Sequence, residues 1–245
     1  MHATPVIVVK NLHKSFGENH VLRNFSMSLQ TGENLAILGK SGSGKSVLIK
    51  CIIRLIESDQ GSIAVLNENI DEMSVDDLDH LRAKVGFLFQ SNALYDSMTV
   101  RENLEFPLRR HWSEAQRQQG TEAAILEALT DVGLAHTIDM MPSELSGGMR
   151  KRIALARTLI LRPAIILYDE PTTGLDPITA REISHLIVKV QQKYNTSSII
   201  ISHDMHCISI TSNRVVMLID GTCYADNTYE ALRQSQDERI KEFFD

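Results

Sequence analysis

Apolar residues come along this chain in short, separated runs. Val6-Ile7-Val8-Val9, Leu35-Ala36-Ile37-Leu38, Val85-Gly86-Phe87-Leu88-Phe89, Ala164-Ile165-Ile166-Leu167, Ser198-Ile199-Ile200-Ile201 and Val215-Val216-Met217-Leu218-Ile219 have no polar alternation and are followed by polar or glycine-rich turns. Runs of this kind are strands buried on both faces, as in a parallel sheet covered by helices. Ser62 to Leu66 predicts another strand, and an apolar stretch from Val21 to Leu29 is entered through a turn at Leu12 to Asn19 and left through Thr31-Gly32-Glu33. Helical patterning lies between them: from Val47 to near Ile56, Asp76 to Arg82, and Thr179 to about Lys193. From Ser91 to Leu161 the character is helical, with amphipathic spacing over Thr121 to Leu129. This predicts an α/β domain spanning 1–245: a core from 1–90 and 162–227, an inserted helical subdomain at 91–161, and a helical tail at 228–245.

The strand Leu35-Ala36-Ile37-Leu38 runs into Gly39-Lys40-Ser41-Gly42-Ser43-Gly44-Lys45-Ser46, followed by the apolar helix start Val47-Leu48-Ile49. Strand, glycine-rich turn and helix in that order form a phosphate-binding loop. Backbone N–H groups from Gly42 to Ser46 converge at a helix N-terminus, where unpaired donors and partial positive charge favour a polyphosphate. Lys45 is expected to neutralise β/γ-phosphate charge, and the Ser46 hydroxyl to ligate Mg²⁺.

With this loop in place, the other strand ends gain meaning, because open α/β sheets bind ligands at the carboxyl ends of their strands. Gln90 ends the Val85 run, Asp169-Glu170 end the Ile165 run, and His203 follows Ser202 after the Ile199 run. Two acids closing an apolar strand fit a cation site at Asp169 beside Ser46, with Glu170 turned elsewhere to polarise an attacking water. His203 is expected to hydrogen-bond a γ-phosphate. Phe16, next to Gly17, is read either as a core anchor or as an exposed ring that stacks on a purine. Ser146-Gly147-Gly148-Met149 opens a helix through Leu161 and is a second candidate anion site.

Composition narrows the setting. The chain has 245 residues, of which 43% are hydrophobic, enough for a full core. No apolar window is long enough to span a bilayer, and Met1-His2-Ala3-Thr4-Pro5 lacks the build of a leader. A net charge of −6 with scattered Lys and Arg argues against a dedicated nucleic-acid surface. Cys51, Cys207 and Cys223 are far apart and read as reduced thiols.

The order of these motifs resembles the nucleotide-binding subunit of ABC transporters over essentially the whole chain. That resemblance implies a P-loop NTPase of RecA-like core with an N-terminal antiparallel β subdomain. It makes Gly39 to Ser46 the Walker A motif, Phe16 the adenine-stacking aromatic, Gln90 the Q-loop residue and Ser146 to Met149 the signature. Ile165 to Asp169 becomes Walker B with Glu170 the catalytic base, Thr173 to Asp176 the D-loop, and His203 the switch histidine. Two positions depart from the common pattern: Met149 stands where the signature usually has Gln, and Val47 where a second hydroxyl often follows Walker A. Losing that hydroxyl removes one α-phosphate hydrogen bond, worth about 1 kcal/mol. Met149, with Met141 to Leu145, Ala93 to Val100, Pro107 to Arg109 and Asp176 to Thr179, is similar to the Mla-type phospholipid-transport ATPases.

The resemblance implies ATP and Mg²⁺ as cofactors, with Ser46, Gln90 and Asp169 around the metal, and a head-to-tail homodimer with ATP between Walker A of one copy and the signature of the other. It further implies an integral permease contacting the region of Gln90 and Ala93 to Met98, a possible small accessory cytoplasmic subunit, and a peripheral place on the cytoplasmic face of the inner membrane. Leu94, Tyr95 and Met98 are expected either to be exposed to that permease or to be buried within the helical subdomain. Other cargo, such as amino acids or lipoproteins, and a soluble ATPase switch remain alternatives at this stage.

Overall fold

A computed structural model describes residues 4–244; Met1, His2 and Ala3, which belong to the stretch read as lacking a leader, and Asp245 of the tail lie outside the described residues. The chain begins with β1 (Pro5–Phe16) and β2 (Asn19–Gln30), then β3 (Asn34–Leu38) and α1 (Lys45–Ile52). β4 (Gln60–Val65), β5 (Glu68–Asn69), α2 (Val75–Ala83) and β6 (Val85–Leu88) follow. Three helices come next, α3 (Val100–His111), α4 (Glu114–Asp131) and α5 (Gly147–Leu159). The chain returns through β7 (Ile165–Asp169), α6 (Pro177–Tyr194), β8 (Ser197–Ile201), α7 (Met205–Thr211), β9 (Arg214–Ile219) and β10 (Thr222–Asn227). It closes on α8 (Tyr229–Arg233) and α9 (Glu238–Lys241).

The strands form two sheets. An antiparallel sheet has the order β2-β1-β4-β5, and a six-stranded sheet the order β10-β9-β3-β8-β7-β6. In the second sheet β9, β3, β8, β7 and β6 are mutually parallel, and only β10 is antiparallel. Register brings Ile37 beside Ile201 and Asp169 beside the same Ile201, so the segments following β3, β7 and β8 leave from one edge.

The apolar runs have no polar alternation because both faces of the parallel sheet are covered. Leu35 and Ile37 of β3, Ile165 and Leu167 of β7, and Ile199 and Ile201 of β8 join a core with Ile7, Val9 and Phe25 of the antiparallel sheet and Leu48 and Ile52 of α1. Their alternate neighbours Ile166, Tyr168 and Ile200 face a second core with Leu104, Ile125, Ile153 and Ile187 from α3 to α6. Ala36 and Leu38 pack with Ile208, Val215 and Met217, where the tail adds Leu232, Ile240, Phe243 and Phe244.

The expected α/β fold with an antiparallel sheet therefore holds, and several boundaries move. The turn expected at Leu12 is strand through Phe16: β1 continues with register shifts around Asn11 to Ser15, and Asn11 has φ 48°. Bulges break the period-2 alternation that would have marked these residues as strand. α1 ends at Ile52, four residues short of Ile56, with Arg54 at φ 51° closing the turn. Leu94 and Met98 are half-buried, whereas Tyr95 is exposed, its ring against Phe106 and under the guanidinium of Arg157.

Candidate nucleotide site

The loop after β3 is set by its glycines and closed by its lysine. Gly44, the residue before α1, has φ 101°, and a Cβ there would come within 2.6 Å of Val21 Cγ1. Only glycine lets the loop lie this close to β2 in that conformation. Lys45 is buried, and its Nζ donates to the carbonyls of Gly39 at 2.7 Å and Lys40 at 3.0 Å, so the side chain folds back across the loop. Burial lowers its pKa, and the charges of Glu170 and Asp169 oppose that shift. An ammonium held by two neutral carbonyls, with a third donor to spare, is primed to exchange them for phosphate oxygens.

Ser46, the next residue, donates from Oγ to Oδ1 of Asp169 at 3.0 Å, joining the first turn of α1 to the end of β7. Asp169 is 5% exposed, and burial raises its pKa. A buried carboxylate paired with a hydroxyl, both hard oxygen donors, fits Mg²⁺. Glu170 then reverses direction: φ is 51°, an unfavourable value for a residue with a side chain, and its N–H donates to the carbonyl of Ile201 on β8 at 2.9 Å. That reversal sends consecutive acids to different places. Oε2 of Glu170 accepts from Thr173 Oγ1 at 3.0 Å and lies 2.9 Å from Nδ1 of His203. Thr172 Oγ1 donates to Asp204 at 3.1 Å, which fastens the turns after β7 and β8 to each other.

Lys45, Ser46, Glu170 and His203 line a cleft of about 480 Å³ with Phe16, Val21, Ser41, Gly42, Gly44, Val47 and Gln90. Phe16 stands at the rim with 51% of its surface exposed and Lys14 Nζ 5.2 Å from its ring centroid. A ring left this open is not the core anchor of the alternative expectation. His203, expected on the γ-phosphate, lies at the cleft with its ring against the Glu170 carboxylate. The hydroxyl of Thr173 on Glu170 went unnoticed in the sequence; its only signal there was a Thr three residues after the acid, within a turn.

Other residues expected around the nucleotide are not brought to the cleft by this chain. Lys40 turns away: its Nζ pairs with Glu242 at 2.7 Å and lies 6.0 Å from the Phe243 ring centroid. With Ser43 it lines a neighbouring cavity of about 500 Å³ between the loop and the tail. Ser46 and Lys45 are thus the loop's chemical side chains, and Lys40 contributes its carbonyl. Ser146 caps α5, accepting from the Met149 N–H at 3.2 Å, and the Met149 side chain leans on the second core. Asp176 caps α6, accepting from the N–H groups of Ile178 and Thr179 and from the Thr179 hydroxyl, which lowers its pKa. Gly148 packs against this cap, since a Cβ there would lie 2.6 Å from Thr179 Cγ2. Among the described residues, neither Ser146 to Met149 nor Asp176 lines the cleft.

Lys45 and Ser46 of the glycine-rich loop, the Glu170 carboxylate and the His203 imidazole thus converge on one cleft, an arrangement suited to phosphoryl chemistry. The class so defined is a P-loop ATP hydrolase. The chain belongs to the ABC transporter family, whose pattern it matches over residues 22–173. It is 37% identical to the intermembrane phospholipid transport system ATP-binding protein MlaF of Haemophilus influenzae, over 97% of this chain and 89% of that one. To the probable ribonucleotide transport ATP-binding protein Mkl of Mycobacterium leprae it is 35% identical, over 97% and 68%. The fold matches the ATP-binding cassette MJ0796, solved as a dimer in a post-hydrolysis state with ADP and Pi. The TM-score is 0.82 at 30% identity, covering 91% of this chain and 98% of that one. Among the described residues no helix is long and apolar enough to cross a membrane.

Proposed function

We propose that this chain is the ATP-hydrolysing subunit of a transporter that moves phospholipid, peripheral on the cytoplasmic face of the inner membrane. Support for the cargo comes from the similarity to MlaF together with the Met149-type signature and its flanking residues. The nucleotide lies with its base on Phe16 and its phosphates in the loop from Gly39 to Ser46, with Lys45 released from the Gly39 and Lys40 carbonyls onto the phosphate oxygens. Ser46, Asp169 and Gln90 would hold Mg²⁺, which would neutralise phosphate charge there. Glu170 accepts a proton from the attacking water, and His203 holds that carboxylate in place until ATP arrives. Val47 offers no hydroxyl to the α-phosphate, a small loss next to the loop's backbone donors.

The single observation that carries the working unit is the exposure of Ser146 and Gly147 on a face apart from the cleft. A helix start suited to an anion, which among the described residues lies outside the cleft of its own chain, is complemented by the cleft of a second copy. Two copies arranged head to tail close two ATP sites, each with Ser146, Gly147, Gly148, Met149 and Asp176 from the opposite copy. Segment 91–161 moves with the signature as a helical subdomain, relative to the core formed by 1–90 and 162–227. A permease helix contacts the surface near Gln90 and Ala93 to Met98, where Tyr95 is exposed. A small accessory cytoplasmic subunit completes the assembly, and no nucleic acid takes part.

The test is affinity purification of the chain from detergent-solubilised membranes of its host, with the co-purifying proteins and lipids identified by mass spectrometry. Phospholipid together with a permease is the expected result. A permease accompanied by a binding subunit for amino acids or nucleotides would keep the ATPase and discard the cargo. Recovery only from the soluble fraction would discard the transporter assembly.

A further inference from the structure

The helix that opens with Ser146-Gly147-Gly148 carries three consecutive basic residues, Arg150-Lys151-Arg152, and they are not equivalent. Arg150 Nη1 donates to the carbonyl of Leu145 at 2.6 Å, and Arg152 Nη2 pairs with Glu182 at 2.5 Å. Lys151, between them, points into the protein. It is 2% exposed, and its Nζ donates to the backbone carbonyl of Gln90 at 3.0 Å. Burial lowers its pKa, while the charges of Asp169 and Glu170 act in the opposite sense. Among the described residues no carboxylate reaches it within ion-pair distance, and the Gln90 carbonyl is the hydrogen-bond acceptor it has.

Packing alone does not ask for this residue. An apolar side chain of similar length fills the same volume without desolvating a charge or ordering a long flexible stem. The location supplies the reason. Gln90 lies just beyond the end of β6 and its residue lines the nucleotide cleft, while its carbonyl is held by α5. Lys151 is one turn along α5 from Gly147, the first residue of the helix. The helix that presents the signature and the strand end that presents Gln90 therefore meet at one ammonium.

We propose that Lys151 is a positioning residue for ATP hydrolysis, fastening the Gln90 strand end to the signature helix so that displacement of α5 reaches the cleft. This rests on the roles given above to Gln90 and Glu170. The side chain touches neither nucleotide nor attacking water; it acts by keeping Gln90 in register with the signature.

The experiment compares wild type, Lys151→Met, Lys151→Arg and Glu170→Gln as purified full-length proteins. Steady-state ATPase kinetics, affinity for a fluorescent ATP analogue and thermal melting are measured on each. Lys151→Met is expected to lower kcat by roughly tenfold or more, with ATP affinity changed by less than about threefold, since misplacement of the reacting groups penalises turnover rather than binding. Lys151→Arg, which keeps the cation and its donors, is expected to recover most of that loss. A folded Lys151→Met with kcat within about twofold of wild type would overturn the inference, as would equal losses in kcat and affinity. So would a folded Lys151→Arg as slow as Lys151→Met. If Lys151→Met does not fold, Lys151→Gln, which keeps a donor for the Gln90 carbonyl but no charge, is judged by the same kcat and affinity limits. Full activity in Glu170→Gln would sink the site assignment itself; an inactive Glu170→Gln beside an unaffected Lys151→Met would sink only the role of Lys151.

Discussion

Nδ1 of His203 lies 2.9 Å from Oε2 of Glu170, and that same oxygen accepts the hydroxyl of Thr173 at 3.0 Å. The acid at the end of β7 is thereby held from the β8 side by His203 and from its own turn by Thr173, leaving Oε1 as the oxygen that can face a water. If Glu170 is the base, Glu170→Gln lowers kcat by about 100-fold or more while ATP affinity stays close to wild type. The variant should accumulate as an ATP-bound dimer in size-exclusion chromatography with Mg-ATP. An unchanged turnover rate would remove Glu170 from the mechanism.

A second expectation concerns Gly148, whose added Cβ would meet Thr179 Cγ2 at 2.6 Å, against 4.0 Å from Leu175 Cδ2 for Gly147. Gly148→Ala must rotate Thr179, whose hydroxyl holds Asp176 at 2.6 Å, and is expected to cost about 1–3 kcal/mol as overpacking. Thr179→Ser removes the offending methyl and keeps the hydroxyl. The double variant should regain most of the melting temperature lost by Gly148→Ala, a result that denaturation curves would decide.

The buried Asp169 makes a prediction about pH. Its pKa in the fold is raised by burial above that of the unfolded chain, so the folded state holds the proton more tightly. Its favourable contribution is complete below the unfolded carboxylate range and is lost as pH rises through the folded value, leaving a buried charge at neutral pH. Asp169→Asn is therefore expected to melt higher than wild type in the absence of Mg²⁺ at pH 7, by a few degrees for about 1 kcal/mol. The difference should shrink on acidification. Added Mg²⁺ should raise the melting temperature of wild type and not of Asp169→Asn, which calorimetry with and without chelator can establish.

Phe16, half-exposed at the rim of the cleft, is expected to act on binding alone. Phe16→Ala should weaken ATP by about 0.5–1.5 kcal/mol, roughly 2- to 12-fold in Kd, and Phe16→Tyr should restore it. An unchanged Kd in titration calorimetry would return Phe16 to a structural role.

The sequence by itself determined the elements that local physics can specify. Unbroken apolar runs predicted strands covered on both faces, and β3, β7 and β8 each divide their side chains between two of the three cores. The glycine-rich turn between Leu38 and Lys45, the acids closing β7 and the histidine after β8 were equally visible, because each is a residue type placed at the end of a readable element. Where the local signal was mixed, boundaries failed, as in β1, whose bulges around Asn11 to Ser15 erase the alternation.

Only tertiary structure decided which of these ends meet. Strand order sets β3 next to β8 and β8 next to β7, so Ser46 finds Asp169 and Glu170 finds His203 across large sequence separations. The same folding sends the side chain of Lys40 toward Glu242 in the tail, and draws Lys151 out of a basic run into the interior beneath Gln90. It keeps Ser146 to Met149 out of the cleft of their own chain. A pattern along the chain reports the preferred state of each segment, whereas a charge or hydroxyl acquires its partner from the segments packed around it, which no local period encodes.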